Sequence, residues 1–115
     1  MHEYSIVQSL LDRVDEVALS RGAASVQRLT VRIGDLSGVE IPLLCSAFEV
    51  FRAHTVCAAA ELDVQPVPAH WACPGCGRGF ARGEVLRCAD CGLPARLDQG
   101  DEIILERIEM EVPDV

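Results

Sequence analysis

Apolar residues near the start of the chain recur at intervals of three and four, which predicts an amphipathic helix over residues 5–21. Ser5, followed three places later by Gln8, resembles a capping box, and Gly22 is placed to end the helix. Because this helix follows residues 1–3 directly, we expect the start of the chain to be attached to a rigid element. The apolar positions are Ile6, Val7, Leu10, Leu11, Val14, Val17 and Ala18.

Strict alternation follows in the segment RLTVRIGDL, where Leu29, Val31 and Ile33 point to one side. This pattern predicts a strand with one buried face. After a loop over residues 34–38, Pro42 is placed in the first turn of a second helix. The apolar stripe of that helix consists of Ile41, Leu44, Cys45, Phe48 and Phe51.

Shorter alternations indicate two further strands. Leu62 and Val64 predict a second strand, and Pro66 and Pro68 suggest that it runs along a sheet edge or ends early. The tail of the chain predicts a last strand. Its apolar phase shifts by one residue near residues 106–107, which predicts a β-bulge.

Residues 69–99 differ from the rest, since they hold five of the nine glycines, four of the six cysteines and the single tryptophan. We therefore expect an α+β fold in which two helices pack on a small three-stranded sheet. A four-cysteine, zinc-ribbon-like module is inserted before the last strand. In this division residues 1–68 and 100–115 form the α+β domain, and residues 69–99 form the metal-binding module.

The chain of 115 residues has a net charge of −8, and its ten basic residues are all arginine. It lacks the basic face that counterion release requires, which argues against a nucleic-acid partner. No targeting segment and no apolar run of transmembrane length is visible, so we expect a cytoplasmic protein without a membrane partner. In that reducing compartment the six cysteines favour metal binding over disulfides.

Two C-x-x-C pairs, CPGCG and CADCG, place Cys73 with Cys76 and Cys88 with Cys91. A glycine directly follows each pair and can take the left-handed conformation that turns backbone N–H groups towards the sulfurs. Two such knuckles predict a tetrahedral site of four sulfurs. Zn(II) is the leading occupant, and its role is structural because a closed shell leaves no position for a substrate.

Other interpretations of the cysteines stay open at this stage. A rubredoxin-like Fe(Cys)4 electron carrier uses similar knuckles, and a zinc-ribbon adaptor could bind a protein partner without any nickel. Thioredoxin-like chemistry is less favoured, because neither pair opens a helix in a βαβ unit. With four cysteines available, His70 is expected to be a bystander. Cys45 is expected to be a small buried residue, and Cys57 either buried or exposed.

The chain carries no motif typical of an enzyme. It has no nucleophile elbow, no phosphate-binding loop, no dinucleotide fingerprint and no H-E-x-x-H. The glycines of GCGRG belong to a cysteine knuckle. We therefore do not expect catalysis.

Together with these patterns, the segments MHEYSIVQSLL, VRIGDLSGV and AFEVF and the two C-x-x-C pairs resemble the HypA/HybF family of hydrogenase-maturation nickel metallochaperones. The resemblance covers essentially the whole chain. It implies a nickel-binding domain of two helices and three strands with a zinc domain inserted before the last strand. It also implies nickel delivery to the large subunit of NiFe-hydrogenase with a maturation GTPase, and in some organisms a role with urease maturation proteins. His54 and Thr55 stand where the family often has Gly-Thr, and the sequence leaves open whether the protein forms a homodimer.

The chemistry of the first residues supports nickel binding independently of the resemblance. The α-amine of Met1 and the backbone and ring nitrogens of His2 can close fused chelate rings on one ion, and Glu3 can add its backbone nitrogen or its carboxylate. Four donors in a plane suit Ni(II) or Cu(II). We therefore predict that Met1, His2 and Glu3 hold Ni(II) as transient cargo, while the four paired cysteines hold structural Zn(II).

Overall fold

The computed structural model describes residues 3–113 and contains, over that range, two helices and six strands. The strands form two three-stranded sheets, in the orders β2-β1-β6 and β4-β3-β5. The predicted α+β fold is confirmed, because both helices pack on the first sheet and the second sheet belongs to the inserted four-cysteine segment. In chain order the elements are α1 (Glu3–Arg21), β1 (Ser25–Gly34), α2 (Ile41–Phe51), β2 (Glu61–Val67), β3 (His70–Ala72), β4 (Gly79–Ala81), β5 (Arg96–Gln99) and β6 (Ile103–Glu111).

The first helix begins at Glu3, so the predicted start with a capping box at Ser5 is wrong. The Glu3 side chain is buried, and its carboxylate accepts a hydrogen bond of 3.3 Å from the backbone N–H of Glu40, directly before α2. This contact between distant parts of the chain stabilises a helix start that the local sequence does not indicate. The helix ends as predicted, with Gly22 in the left-handed conformation at φ 66°.

The central strand of the first sheet is β1, which starts three residues before the predicted alternating segment. Leu29, Val31 and Ile33 are buried, as the alternation predicted. The strand pairs in parallel with β2 and antiparallel with β6. Its buried face therefore forms the floor on which both helices pack.

The β-bulge predicted in the last strand is confirmed. Adjacent residues of β1 pair with Leu105 and Arg107, so Glu106 between them has no partner in β1. The extra residue restores the alternation, and Leu105 and Ile108 both pack against the core. The strand β2 lies at the opposite edge of the sheet, in agreement with its prolines.

The second helix spans Ile41–Phe51, with Pro42 in its first turn as predicted. Cys45 lies at the flank of its apolar stripe and is only partly buried, less than the sequence predicted, whereas Cys57 in the following turn is fully buried. The helical layer of the core consists of Val7, Leu11, Val14, Leu44, Ala47 and Phe48.

The turn after β1 holds both ends of the inserted segment. The backbone N–H of Asp35 donates to the carbonyl of Val67 at 2.9 Å, where β2 ends, and that of Leu36 donates to the carbonyl of Gly100 at 2.7 Å. The Asp35 carboxylate also accepts a hydrogen bond of 3.4 Å from the N–H of Ala69. One turn of the first sheet thus contacts the segment where it leaves and where it returns.

The second sheet lies within residues 69–99, which the sequence distinguishes by composition. That residues 69–99 and the rest of the chain are separate domains stays a prediction, because it concerns independent folding. None of the helices in the described part of the chain is long and apolar enough to cross a membrane.

Candidate metal centres

The four predicted cysteine ligands meet at one point. The sulfur atoms of Cys73, Cys76, Cys88 and Cys91 all lie within 4.8 Å of one another, and those of Cys76 and Cys88 are 3.8 Å apart. Four Zn–S bonds of about 2.3 Å in a tetrahedron place the sulfurs about 3.8 Å apart. The donor set and its spacing therefore fit Zn(II), and they equally suit iron in an all-sulfur tetrahedron.

Both cysteine pairs adopt the same backbone turn. In the first, the N–H of Gly77 donates to the carbonyl of Cys73 at 2.9 Å, and in the second the N–H of Gly92 donates to that of Cys88 at 2.8 Å. Both glycines have positive φ, 78° and 68°, as the sequence predicted. In the first turn the N–H of Gly75 also points at the Cys73 sulfur, at 3.4 Å. The site therefore consists of two similar knuckles that face each other.

The thiols differ strongly in acidity because of what surrounds them. Backbone N–H groups of Cys76 and Gly75 directed at the Cys73 sulfur stabilise its thiolate and lower its pKa to about 7. Hydrogen bonds with the Cys76 and Cys73 thiols, together with burial, raise the pKa of Cys91 to about 12. Four thiolates cannot crowd together without a cation, so a divalent ion that binds here must displace protons.

The cysteine site also forms the centre of the small core of the inserted segment. Cys73 and Cys88 are buried with Phe80, whereas Cys76 and Cys91 lie at the surface. Arginines that the sequence places near the sulfurs have contacts of their own. Arg78 stacks over the Phe80 ring at 5.5 Å, and Arg87 donates to the carbonyl of Gly92 at 2.6 Å. The core and the metal site therefore depend on each other.

The other histidine and cysteine candidates lie outside this cluster. His70, expected to be a bystander, pairs through Nδ1 with Asp98 at 3.2 Å and is not part of the ligand group. Burial, helped by the nearby Asp15 charge, raises the pKa of the Cys57 thiol to about 11, which keeps it protonated and unsuited to metal binding. His54 is exposed in the turn after α2.

Of the three predicted nickel ligands, Met1 and His2 lie outside the described residues, and only Glu3 can be placed. Glu3 is the first residue of α1, and its carboxylate is turned inwards against the start of α2. Its backbone nitrogen belongs to the first helical turn, whose N–H groups lie outside the i→i−4 ladder. Both Glu3 donors that the sequence offers therefore lie at the start of a helix whose position is fixed against α2.

The contacts that hold the amino-terminal helix in place leave no signal in the sequence. Besides the Glu3 contact, the carboxylate of Asp15 accepts a hydrogen bond of 3.2 Å from the N–H of Val56, in the turn after α2. Acidic residues on a helix usually indicate a solvated face or a favourable dipole contact. No local signal in the sequence distinguishes Glu3 and Asp15, which bind the backbone of another element, from the other acidic residues of the helix.

Comparisons with known proteins identify the same family by a family model and by individual relatives. A family model described as "Hydrogenase/urease nickel incorporation, metallochaperone, hypA" matches residues 1–110. The chain is 42% identical over 117 residues to hydrogenase maturation factor HypA of Wolinella succinogenes, covering 99% of this chain and 98% of that protein. It is 38% identical over 112 residues to the protein of the same name from Nitrosospira multiformis, covering 96% and 97%.

Solved structures agree with this result. The solution structure of the Ni metallochaperone HypA from Helicobacter pylori is similar with a TM-score of 0.73 at 33% identity, over 98% of this chain and all of that one. A further solution structure of a HypA protein gives a TM-score of 0.80 at 33% identity, over 98% of both chains. The chain therefore belongs to the HypA family of hydrogenase/urease nickel-incorporation metallochaperones.

Proposed function

We propose that this protein binds Ni(II) through Met1, His2 and Glu3 and delivers it during NiFe-hydrogenase maturation, while Cys73, Cys76, Cys88 and Cys91 hold a structural Zn(II). The observation that carries the proposal is the fixed position of Glu3, with its carboxylate buried against the residue before α2. A ligand set that starts at the amine and ends at Glu3 would be attached to a folded scaffold.

The chemistry of the nickel site suits a cargo that must be released. An amine, deprotonated backbone nitrogens and an imidazole form a planar field that Ni(II) favours. Ligands at a chain terminus can be exchanged one at a time for those of a receiving site, which a closed cage would not allow. In this proposal the nickel is cargo and the protein is not an enzyme.

The four cysteines supply a different kind of site. When bound there, zinc would link two knuckles that have few other apolar contacts, and it would contribute folding free energy to the module. Cys73 and Cys88 would hold it from the buried side, and Cys76 and Cys91 from the surface. Its role in the proposal is to maintain the shape of residues 69–99, which form the zinc-binding module.

The relatives' names point to the setting in which this occurs. They are hydrogenase maturation factors, so the proposed receiver is the large subunit of NiFe-hydrogenase, served together with a maturation GTPase in the cytoplasm. The family description also includes urease, which makes urease maturation proteins a second proposed destination. A homodimer is compatible with the proposal, but nickel binding within one chain does not require it.

A nickel titration of the zinc-loaded protein tests the proposal. The nickel affinity of the His2→Ala variant should be at least tenfold lower, because the substitution removes the imidazole nitrogen from the ligand set. The matched control is His54→Asn, which removes an exposed imidazole and suits the left-handed backbone at φ 66°. If His2→Ala binds nickel as the parent does, or both variants lose equally, the amino-terminal site is wrong.

Elemental analysis tests the second site separately. Zinc at one ion per chain is expected, and it should disappear in a Cys73→Ser/Cys88→Ser variant and persist in Cys45→Ser. Iron with visible sulfur-to-iron absorption would instead indicate a rubredoxin-like centre.

A further inference from the structure

A groove runs between one flank of α1 and the helix-facing side of β6. It consists of two adjoining cavities of about 430 Å³ and 420 Å³, both lined by Arg13 and Leu105. We call the two cavities together the α1–β6 groove. Its apolar floor consists of Ile6, Leu10, Val17, Leu105, Ile108 and Met110.

The groove is open because the sheet ends at β6. Over the described residues no strand pairs with the outer edge of β6. The α1 side chains that face the sheet directly, such as Leu11 and Val14, are buried. Those on the adjoining flank, Ile6, Leu10 and Val17, are only half buried. The helix thus has an apolar flank that extends beyond the sheet.

The rim of the groove is basic, although the protein is acidic. Three of the ten arginines in a chain of net charge −8 line it: Arg13, Arg21 and Arg107. Within residues 3–113, Arg21 and Arg107 form no ion pair, and Arg13 reaches only Glu16 at 3.8 Å, with both side chains exposed. Arg21 lies in the last turn of α1, where a cation interacts favourably with the helix dipole, and Arg107 also lines a second pocket with Asp63 and Glu109.

We propose that the α1–β6 groove docks an acidic amphipathic helix of a partner protein. The apolar side chains of that helix would cover the groove floor, and its carboxylates would face Arg13 and Arg107. A helix is favoured over an added strand, because the bulge at Glu106 interrupts the regular edge of β6. From Ile6 to Arg21 the flank extends about 23 Å, which matches about four turns of a partner helix.

This inference rests on the proposed function only in taking a protein as the occupant, because nickel delivery requires contact with a receiving protein. Charge complementarity fixes the sign of the occupant. A cationic segment would be attracted by the overall charge of −8 but repelled by the arginines at the rim. An anionic segment would be repelled by the overall charge but attracted at the rim. Glu106 also lines the groove and opposes an anionic occupant, so the arginines must outweigh it.

Two synthetic helical peptides of about 15 residues provide the test. Both carry leucine at helical spacing, and the remaining positions are glutamate in one and lysine in the other. Fluorescence anisotropy measures binding to the zinc-loaded full chain. The glutamate peptide should bind, and the double substitution Arg13→Glu/Arg107→Glu should weaken it by about tenfold and strengthen the lysine peptide.

The control variant is Arg82→Glu/Arg96→Glu, which makes the same change in net charge at exposed positions of the cysteine module. It should leave the glutamate peptide bound as before. Equal loss in both variants, tighter binding of the lysine peptide to the parent, or no binding of the glutamate peptide up to about 1 mM would overturn the proposal. A groove variant that changes the fraction of homodimer in sedimentation would assign the groove to a second copy instead.

The nickel titration of the groove variant separates this proposal from the proposed function. None of the groove residues is a proposed metal ligand, so nickel affinity and zinc content should match those of the parent. Unchanged metal binding with lost peptide binding supports the groove alone. Failure of the His2→Ala experiment would leave the peptide result as it stands.

Discussion

The substitution Gly34→Ala should displace the inserted segment from the turn that holds it. A Cβ atom at this position would overlap the carbonyl group of Gly100 and lie 2.7 Å from the backbone nitrogen of Asp101. Both obstacles are backbone atoms, which cannot rotate away as a side chain could. The chain at residues 100–101 must therefore move away from the end of β1.

The cost of that movement can be worked out from the bonds it breaks. The N–H of Gly34 donates to the carbonyl of Glu102 at 2.9 Å, and the N–H of Leu36 donates to that of Gly100 at 2.7 Å. Each bond contributes about 0.5–1.5 kcal/mol, and overpacking at a tight site costs about 1–3 kcal/mol. The expected loss in the free energy of unfolding is about 2–6 kcal/mol, a large share of the total stability of a small protein.

A second glycine of the same turn supplies the control. Gly38 has a positive φ of 80°, and a Cβ atom added there would meet no atom within 4 Å. Gly38→Ala therefore pays only the left-handed backbone cost of about 1–2 kcal/mol. Gly34 does not have this backbone conformation, so the two variants separate steric overlap from backbone strain.

Urea unfolding of the zinc-loaded proteins, followed by circular dichroism, measures the difference. From the midpoints of the two ranges, Gly34→Ala should be the less stable variant by about 2–3 kcal/mol. Both variants should retain zinc, because neither residue contacts a cysteine. If Gly34→Ala loses no more stability than Gly38→Ala, the close contact with Gly100 does not hold the segment and the reasoning fails.

The remaining predictions concern the metal sites and the turn after α2. Residues added before Met1 should weaken nickel binding with zinc unchanged, since the α-amine becomes an amide; equal affinity in a nickel titration would exclude the amine as ligand. Zinc binding to the metal-free protein should release more protons at about pH 6 than at about pH 8, because the pKa of Cys73 is lowered to about 7 while that of Cys91, raised to about 12, keeps it protonated at both. Calorimetry in two buffers measures this release, and a pH-independent value would contradict the lowered pKa of Cys73. His54→Val should be about 1–2 kcal/mol less stable to urea than His54→Gly, since His54 has φ 66°; equal stability would mean that the turn rearranges.

Features that depend on neighbouring residues could be predicted from the sequence. The C-x-x-C-G pattern contains everything that a knuckle needs, so the positive φ at Gly77 and Gly92 followed from it. The phase shift at Glu106 likewise revealed the bulge, because a strand with one buried face cannot change phase without an extra residue.

Features that depend on contacts between distant residues could not be predicted from the sequence. The strands of the second sheet have only three or four residues each, too few to show a period. Gly34 and Gly100 each look like an ordinary turn glycine. Only the folded chain shows that Gly34 must lack a side chain because the backbone carbonyl of Gly100 lies against it. The same limit applies to the apolar flank of α1, which the periodicity alone assigns to the core.

The two metal sites illustrate this difference in opposite ways. The cysteine site is built from two local turns, so its ligands could be named from spacing, and the fold adds only that the turns face each other. Glu3 follows the proposed terminal ligands and is held by a hydrogen bond to a residue 37 positions away. A carboxylate at the start of a helix is equally explained by the helix dipole, so the sequence could propose nickel ligands but not their support. A donor set with so few residues depends on that support for its geometry, because a ligand on a mobile chain loses entropy each time it binds.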